Sequence, residues 1–440
     1  MRRMVILLLL LGLMQLLRPL GSAGYGSEVL LTFGFLILAA YTVGEIAKQL
    51  HAPKIVGYMA AGVVFGPAVL GVMSAEAVDR LAPVSELAIA LIAFLAGAEL
   101  RWADIREHGT AYLKVMTVEL AVSFFAIFAV LYAVCQVVPF LTNSTPIELV
   151  VFCALFASLA IVHSPAVTMA LLTETGARGP VARTTLGVVL LADLAVVLLF
   201  SGMLAGARII VPPSADTPAP TIGAVSWEIL GAVVVGALLG GAVTIYLRFR
   251  GQDLFLFAIL VAFLGAEVAR LTHVETLLTL LTAGFVAENF SQDNQGDELR
   301  HAMERSAAPV FVVFFALAGA EIDIGAIGTL AIIVIPVALV RALGMLTGTR
   351  LGGRWAGLEK EERRYVWMGL VSQAGVAIGL ATIVAEAYPE RGGELQALLL
   401  ALIAINQTVG PLLFRRALVA SGEAVVDPAG ELAPAPARPR

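Results

Sequence analysis

The sequence predicts an all-α polytopic membrane protein: thirteen transmembrane helices in a 6+1+6 inverted repeat with two crossed discontinuous helices, plus an N-terminal hydrophobic segment. Three observations lead to this prediction. Of the 440 residues, 59% are hydrophobic and only 14% are charged, a composition far from that of a soluble domain. Apolar runs of roughly 18 to 25 residues, each able to cross a bilayer as a helix, recur between short polar loops. The third observation is an internal repeat at a spacing of 222 residues.

The apolar runs after residue 25 define the predicted spans. They lie at residues 28-47, 54-72, 83-100, 112-138, 146-173, 181-205, 223-247, 253-270, 274-290, 306-322, 326-349, 365-387 and 394-415. Together they make up a transmembrane domain of residues 26-416.

The two ends of the chain differ from this domain. Residues 1-25 read as a basic start, a leucine-rich core and small residues, which is typical of a signal peptide, yet the run is almost long enough to remain as an extra transmembrane segment. Both interpretations stay open. Residues 417-440 are rich in Pro and Ala and are predicted to be a disordered cytoplasmic tail.

Basic residues are distributed unequally between the predicted loops. With Ser27 outside, the inner loops hold most of them, including Lys48, Arg106 and Arg364. Cytoplasmic loops carry the excess of Lys and Arg, so we expect a multi-pass protein of a bacterial-type inner (cytoplasmic) membrane with a cytoplasmic C-terminus. A net charge of −5 is too small to indicate a nucleic-acid partner.

The internal repeat rests on three stretches that agree at one spacing. The corresponding segments are Leu95–Glu99 with Leu317–Glu321, Ala61–Gly62 with Ala283–Gly284, and Glu45 to His51 with Glu267 to His273. Seven crossings separate the two copies, so they have opposite orientations. Repeat one is residues 28-205, the linker helix is 223-247 and repeat two is 253-415. Inverted repeats are typical of secondary transporters, whose sites are built from interrupted helices near the midplane.

One span in each repeat contains residues that interrupt a helix. They are His163, Ser164 and Pro165 in the first repeat, and Ser372, Gln373, Gly375 and Gly379 in the second. Pro165 lacks an amide donor and breaks the hydrogen-bond ladder. Unwound backbone at the two breaks would present carbonyls and helix ends to a cation.

Asp193 lies near the middle of the apolar run 181-205. A charged Asp at that depth costs about 2.5 to 3.5 kcal/mol on insertion scales, so it normally faces a cavity or a partner. A carboxylate there can hold a proton and a cation in turn. The alternative is a protonated, hydrogen-bonded structural aspartate.

Other polar residues in the spans are candidates for supporting roles. Arg341 keeps its proton and is predicted to give electrostatic support, with a direct part in coupling as the alternative. Glu99 and Glu321 end their helices at opposite faces and favour capping or gating pairs over ion ligation. Glu119 is a weaker candidate that could pair with Lys114 or a neighbour. His163 could relay protons or be a hydrogen-bonded structural histidine.

The sequence contains no motif of a catalytic nucleophile, a nucleotide site or a metal site. We therefore predict no enzyme activity, no cofactor, and no metal other than a transported monovalent cation. Cys135 and Cys153 are expected to be free thiols in apolar segments, with a disulfide as the alternative.

These features resemble the monovalent cation:proton antiporters, in particular the second cation:proton antiporter family, which is sodium/hydrogen exchanger-like and related to potassium efflux systems. The matching stretches are Val56–Pro67 (VGYMAAGVVFGP), Phe94–Leu100 (FLAGAEL), Asp193 after the broken helix, Ser372-Gln373 and Gly410-Pro411. The resemblance covers about residues 28 to 416. It implies exchange of Na⁺ or K⁺ for H⁺ by alternating access, with core helices that move against a scaffold and a homodimer formed through scaffold helices.

The sequence departs from the family pattern at two positions. Ala192 stands where members often carry Asn, Asp or Gln, and Val376 stands where many have Glu. One obvious carboxylate is left, which in the family implies electroneutral exchange. Two other hypotheses remain open: a sodium-coupled organic-anion symporter of similar fold, and a transport-inactive membrane sensor or scaffold.

Overall fold

The computed structural model of the protein describes residues 25–50, 52–100, 102–137, 141, 144–212, 222–248, 254–291, 295–322, 324–373, 376–388 and 391–424. The predicted N-terminal segment lies outside these residues except for its last position. Gly375 and the tail from residue 425 on also lie outside them.

The described residues form sixteen helices. They are α1 (Tyr25–Gln49), α2 (Lys54–Phe65), α3 (Ala75–Asp79), α4 (Ala82–Glu99), α5 (Trp102–Cys135), α6 (Pro146–Ala160), α7 (Pro165–Thr175), α8 (Pro180–Ile210), α9 (Ile222–Arg248), α10 (Leu254–Thr272), α11 (Thr276–Phe290), α12 (Gln295–Ala320), α13 (Ile324–Ala356), α14 (Lys360–Leu370), α15 (Val376–Ala387) and α16 (Gly392–Ala420).

The helices agree with the predicted fold class. Within the described residues, seven helical segments are long and apolar enough to cross a membrane, and four shorter apolar helices accompany them. An all-helical polytopic protein is therefore confirmed, whereas the count of thirteen spans stays a prediction.

The chain divides into two compact units. The first unit contains α1 to α4, most of α9, and α10 to α12. The second contains α5 to α8 and α13 to α16.

Glycines in the first unit let helix backbones touch. A Cβ atom at Gly62 in α2 would collide with the carbonyl oxygen of Ala316 in α12. A Cβ atom at Gly284 in α11 would collide with the carbonyl oxygen of Phe94 in α4. Any side chain at either glycine would push the paired helices apart.

A second set of glycines forms contacts of the same kind. A Cβ atom at Gly97 would collide with the carbonyl oxygen of Leu281, and one at Gly319 with that of Met59. In each set, the two contacts are related by the 222-residue spacing. The glycine of one contact lies 222 positions before the glycine of the other, and its partner residue lies 222 positions after the other partner residue. The helix pair α4 and α11 thus packs through the same positions as α12 and α2.

The second unit is organised around α5 and α13, whose backbones also lie in contact. A Cβ atom at Gly344 would be 2.9 Å from Cα of Ser123, and one at Gly348 would be 2.6 Å from Cα of Glu119. Arg341, three residues before Gly344, lies on the same face of α13. This packing places Glu119 and Arg341 inside the unit, where neither is exposed to solvent.

Two regions of this unit bear on the sequence predictions. Cys135 and Cys153 are free thiols. The last helix continues to Ala420, beyond the predicted boundary at residue 416, and residues 421–424 form a turn. The predicted tail therefore begins as ordered structure, because Glu423 in this turn is hydrogen-bonded to α8.

Candidate functional site

The first interruption separates α6 from α7. The chain leaves the helix after Ala160, and residues 161–164 are buried and non-helical before α7 begins at Pro165. A proline at the first helical position needs no amide partner, and it forces the preceding residue into an extended conformation. Ser164 accordingly has φ −116° and ψ 102°. Its Oγ accepts a hydrogen bond from the amide of Val167 at 3.2 Å and so caps α7.

The second interruption separates α14 from α15. Residues 371–373 are non-helical and buried, and α15 begins at Val376. Gly379, which the sequence analysis assigned to the break, lies instead inside α15. Gly410 of α16 packs directly on Ser372: a Cβ atom at this glycine would be 2.7 Å from the Ser372 amide nitrogen.

Arg341 joins the two interruptions. Its Nε donates to the carbonyl of Ala160 at 2.6 Å, one terminal nitrogen donates to Val162 at 2.9 Å, and the other donates to Val371 at 2.5 Å. Ala160 ends α6, and Val371 caps the end of α14. The last carbonyls of a helix lack intrahelical partners and carry its negative dipole end. One guanidinium therefore satisfies carbonyls at the ends of two half-helices that stop inside the protein.

Two buried amides add a second connection between the breaks. Gln373 Nε2 donates to the carbonyl of Ala160 at 2.9 Å, and Asn406 Nδ2 donates to Gln373 Oε1 at 2.7 Å. The sequence analysis missed Asn406. The sequence indicates this residue only by placing an amide within the apolar span 394-415, about as far along α16 as Asp193 is along α8.

Glu119 has one partner on its own helix and one in the first break. Ser123 Oγ donates to its Oε1 at 2.8 Å, and His163 Nε2 lies 3.1 Å from its Oε2. Of the two expected partners, Lys114 or a neighbour, the structure shows the neighbour, Ser123, whereas the Lys114 ammonium lies over the Trp355 ring, 5.5 Å from its centroid. Packing of α5 against the first break turns Glu119 inward, toward His163.

Asp193 lies in α8, and its side chain is buried, with 7% exposure. Helix α8 packs against both halves of the first broken helix, α6 and α7. The preceding Ala192 is completely buried. Asp193, both breaks, Arg341 and Glu119 therefore all belong to the second unit.

Glu99 and Glu321 belong to the first unit. Glu99 is the last residue of α4, and Glu321 directly follows α12 and is exposed. Both positions are helix ends, as their equivalence in the repeat predicts. The structure does not bring them together with Asp193 in one unit.

A further carboxylate binds the start of α8. The two oxygens of Glu423 accept hydrogen bonds from the amides of Val181 at 2.7 Å and Ala182 at 2.8 Å. Gly179 leaves room for this carboxylate, since a Cβ atom there would collide with it. The turn after the last helix thus caps the helix that carries Asp193.

We expect Glu423→Ala to lower the free energy of unfolding by about 1 kcal/mol, the usual cost of losing a helix cap. Glu423→Gln should lose less, because its amide oxygen still accepts a hydrogen bond. Burial raises the pKa of the Glu423 carboxyl, and the two backbone hydrogen bonds oppose this rise only in part. The folded protein then holds a proton that the unfolded chain has lost, so its stability should fall as pH rises through the range between the two pKa values.

Thermal unfolding in detergent across pH 4 to 7 measures this effect. The fall in stability should be smaller in Glu423→Gln than in the wild type. The matched control is Glu361→Gln at an exposed position of α14, which should behave as the wild type does. Identical pH profiles for the wild type and Glu423→Gln would contradict the prediction.

Comparison with known proteins gives concordant results. A family model described as the transmembrane sodium/hydrogen exchanger matches residues 33–420. The chain is 24% identical over 358 residues to a probable Na⁺/H⁺ antiporter, GerT, of Bacillus cereus, and the match covers 79% of this chain and 88% of that protein.

A solved structure has a similar fold. The sodium proton antiporter NhaP1 of Methanocaldococcus jannaschii, determined at pH 8, superposes with a TM-score of 0.66 at 14% sequence identity. The superposition covers 90% of this chain and 98% of that one. Because the family model spans most of the chain, this multi-pass membrane protein belongs to the sodium/hydrogen exchanger family of monovalent cation:proton antiporters, which are transporters and not enzymes.

Proposed function

We propose that the protein exchanges Na⁺ or K⁺ for H⁺ by alternating access, and that Asp193 binds the two ions in turn. The observation that carries this proposal is a buried carboxylate on α8, the helix packed against both halves of the first broken helix. A carboxylate buried at this depth is stable only when it holds a proton, a cation or a partner.

Competition for one carboxylate couples the two fluxes. When the proton leaves Asp193, the oxygens become available to a cation, and a bound cation keeps the proton away. One exchangeable charge at the site then carries either one H⁺ or one monovalent cation, which gives electroneutral exchange.

Polar groups at the two breaks are proposed to complete the cation site. They come from His163 and Ser164 in the first break and from Ser372 and Gln373 in the second. Ser372 Oγ supports this assignment, because it is buried and forms no hydrogen bond within the described part of the chain. The guanidinium of Arg341 supports the breaks by satisfying their carbonyls.

We also propose the 6+1+6 inverted repeat. The reciprocal glycine contacts of the first unit support it, since each maps onto its mate at the 222-residue spacing. Glu119 and Arg341 are related by the same spacing and are both completely buried in the second unit. The pattern of basic loops supports a bacterial inner-membrane location with a cytoplasmic C-terminus.

A homodimer is proposed from the family resemblance. Helix α1 is the candidate dimer helix, because Leu38 and Tyr41 are more than half exposed on it. Mass measurement in lipid nanodiscs tests this assembly, and a monomer would exclude it.

Proteoliposomes that contain a pH-sensitive dye test the transport function. We expect addition of Na⁺ or K⁺ to an acid-loaded vesicle to evoke proton efflux, and Li⁺ should be scanned beside them. Sodium uptake that requires a bile acid and moves no protons would instead indicate an organic-anion symporter. Folded protein with no flux of either kind would indicate a sensor or scaffold.

A further inference from the structure

We propose that Glu119 is the fixed countercharge of the ion site: by neutralising Arg341 and orienting His163, it sets the affinity for the cation. This inference rests on the proposed function and adds to it a residue that determines affinity. Glu119 here is a positioning residue, which acts on the ion through its neighbours.

Glu119 and Arg341 hold neighbouring residues of the first break. His163 Nε2 lies 3.1 Å from Glu119 Oε2, and Arg341 donates to the carbonyl of Val162 at 2.9 Å. Glu119 and Arg341 are both completely buried, and their charges attract each other. Two unlike charges in such a place stabilise each other far more than they would in water.

The charges of the site show why this partner matters. Among the described residues of the second unit, the buried charged side chains are Glu119, Asp193, Arg341 and Glu362. Glu362 of α14 has a separate partner, since it accepts a hydrogen bond at 2.6 Å from Thr184 near the start of α8. The charges of Glu119 and Arg341 cancel, and the proposed function assigns the charge of Asp193 to the transported ion.

Without Glu119, Arg341 would be left with Asp193 as its buried counter-ion. Asp193 would then be neutralised by a fixed cation, and a mobile cation would bind less well. A positive charge that cannot leave would compete with the transported one at every pH.

The hydrogen bonds of Glu119 add a geometric effect. His163 Nε2 lies 3.1 Å from Glu119 Oε2, and an ionised carboxylate can only accept a hydrogen bond from this nitrogen. Ser123 holds the other carboxylate oxygen. Glu119 therefore fixes the ring of His163 within the non-helical segment of the first break. Arg341 binds two carbonyls beside this ring, those of Ala160 and Val162. Glu119 and Arg341 thus hold the first break from α5 and α13.

A pair of substitutions separates charge from shape. Glu119→Gln keeps the size of the side chain and one acceptor oxygen but removes the charge. Glu119→Asp keeps the charge but is shorter. We expect the half-saturating Na⁺ concentration to rise roughly tenfold or more in Glu119→Gln, as loss of a unit charge at a buried site requires, and to rise only a few-fold in Glu119→Asp. The maximal rate at saturating Na⁺ should change less than the half-saturating concentration in both variants.

A merely structural role would give the opposite order. The isosteric Gln would then be tolerated better than the shorter Asp. A half-saturating concentration in Glu119→Gln within twofold of the wild type would overturn the proposal, as would a larger increase in Glu119→Asp than in Glu119→Gln. The control is Glu107→Gln, an exposed position of the same helix, which should leave the half-saturating concentration unchanged.

Relocating the charge keeps the proposal testable if Glu119→Gln does not fold. Ser123 Oγ lies 2.8 Å from Glu119 Oε1, so the double variant Glu119→Gln/Ser123→Asp returns a carboxylate to the same place. We expect it to be monodisperse on size exclusion and to recover most of the Na⁺ affinity. Failure of this variant to fold or to recover affinity would overturn the proposal. Absence of exchange in the wild type would instead refute the proposed function, so the two failures are distinguishable.

Discussion

Asp193→Asn should abolish cation-driven proton flux while the protein remains folded. Asparagine keeps the size and hydrogen-bonding capacity of aspartate but can neither release a proton nor offer a charge to a cation. A neutral amide suits a buried position at least as well as a carboxylate, so size-exclusion profile and thermal stability should be at least those of the wild type. Dye-monitored flux in proteoliposomes measures the loss.

Competition for the carboxylate adds a second signature in the wild type. Raising the pH should lower the half-saturating Na⁺ concentration by about tenfold per pH unit while the proton still occupies Asp193, with a plateau once the carboxylate is ionised. Glu86→Gln, at an exposed position, provides the same chemical change outside the site and should leave flux unchanged. Wild-type flux in Asp193→Asn vesicles would show that Asp193 is structural.

Arg341→Met should cause the largest loss of stability. Three buried carbonyls would lose their charged donor. That of Ala160 would keep the hydrogen bond from Gln373, but those of Val162 and Val371 would lose their side-chain donor, and a buried polar group left without a partner costs roughly 1–3 kcal/mol. Glu119 would also lose its counter-ion. We therefore expect a large drop in the thermal unfolding temperature in detergent, or no recoverable folded protein.

Arg341→Lys should lie between the wild type and Arg341→Met. Lysine retains the charge, but its single ammonium cannot reach three carbonyls as the planar guanidinium does. Exchange should persist with an altered pH profile. The control is Arg350→Met, an exposed position on the same helix, which should unfold near the wild-type temperature. Equal stability of Arg341→Met and the wild type would show that these hydrogen bonds contribute little.

Features that depend on local sequence could be predicted well. Pro165, which lacks an amide donor, was predicted to break its helix, and the observed break ends at Pro165; Pro336 and Pro411, by contrast, lie inside α13 and α16. Long apolar runs predict helices because the bilayer fixes their length, and buried charges such as Asp193 and Arg341 stand out against such runs.

Features that depend on packing between distant segments could not be predicted. Besides Ser123, Glu119 contacts His163, 44 positions away along the chain, and nothing in the sequence around either residue indicates this contact. Asn406 escaped notice for the same reason, since its role follows from Gln373 on another helix. Gly379 was assigned to the break because it is a glycine within an apolar span. Glycine is tolerated within a helix when packing supports the backbone, and α15 has already begun at Val376.

The three hydrogen bonds of Arg341 have a mechanical consequence. A single side chain ties the end of α6 to the end of α14, so these ends cannot separate without stripping the donor from buried carbonyls. Under the proposed alternating access, the two interruptions would then travel together as one rigid piece. The surroundings of the ion would keep the same shape during loading and unloading, and the ion gradients on the two sides of the membrane would decide the direction of net exchange.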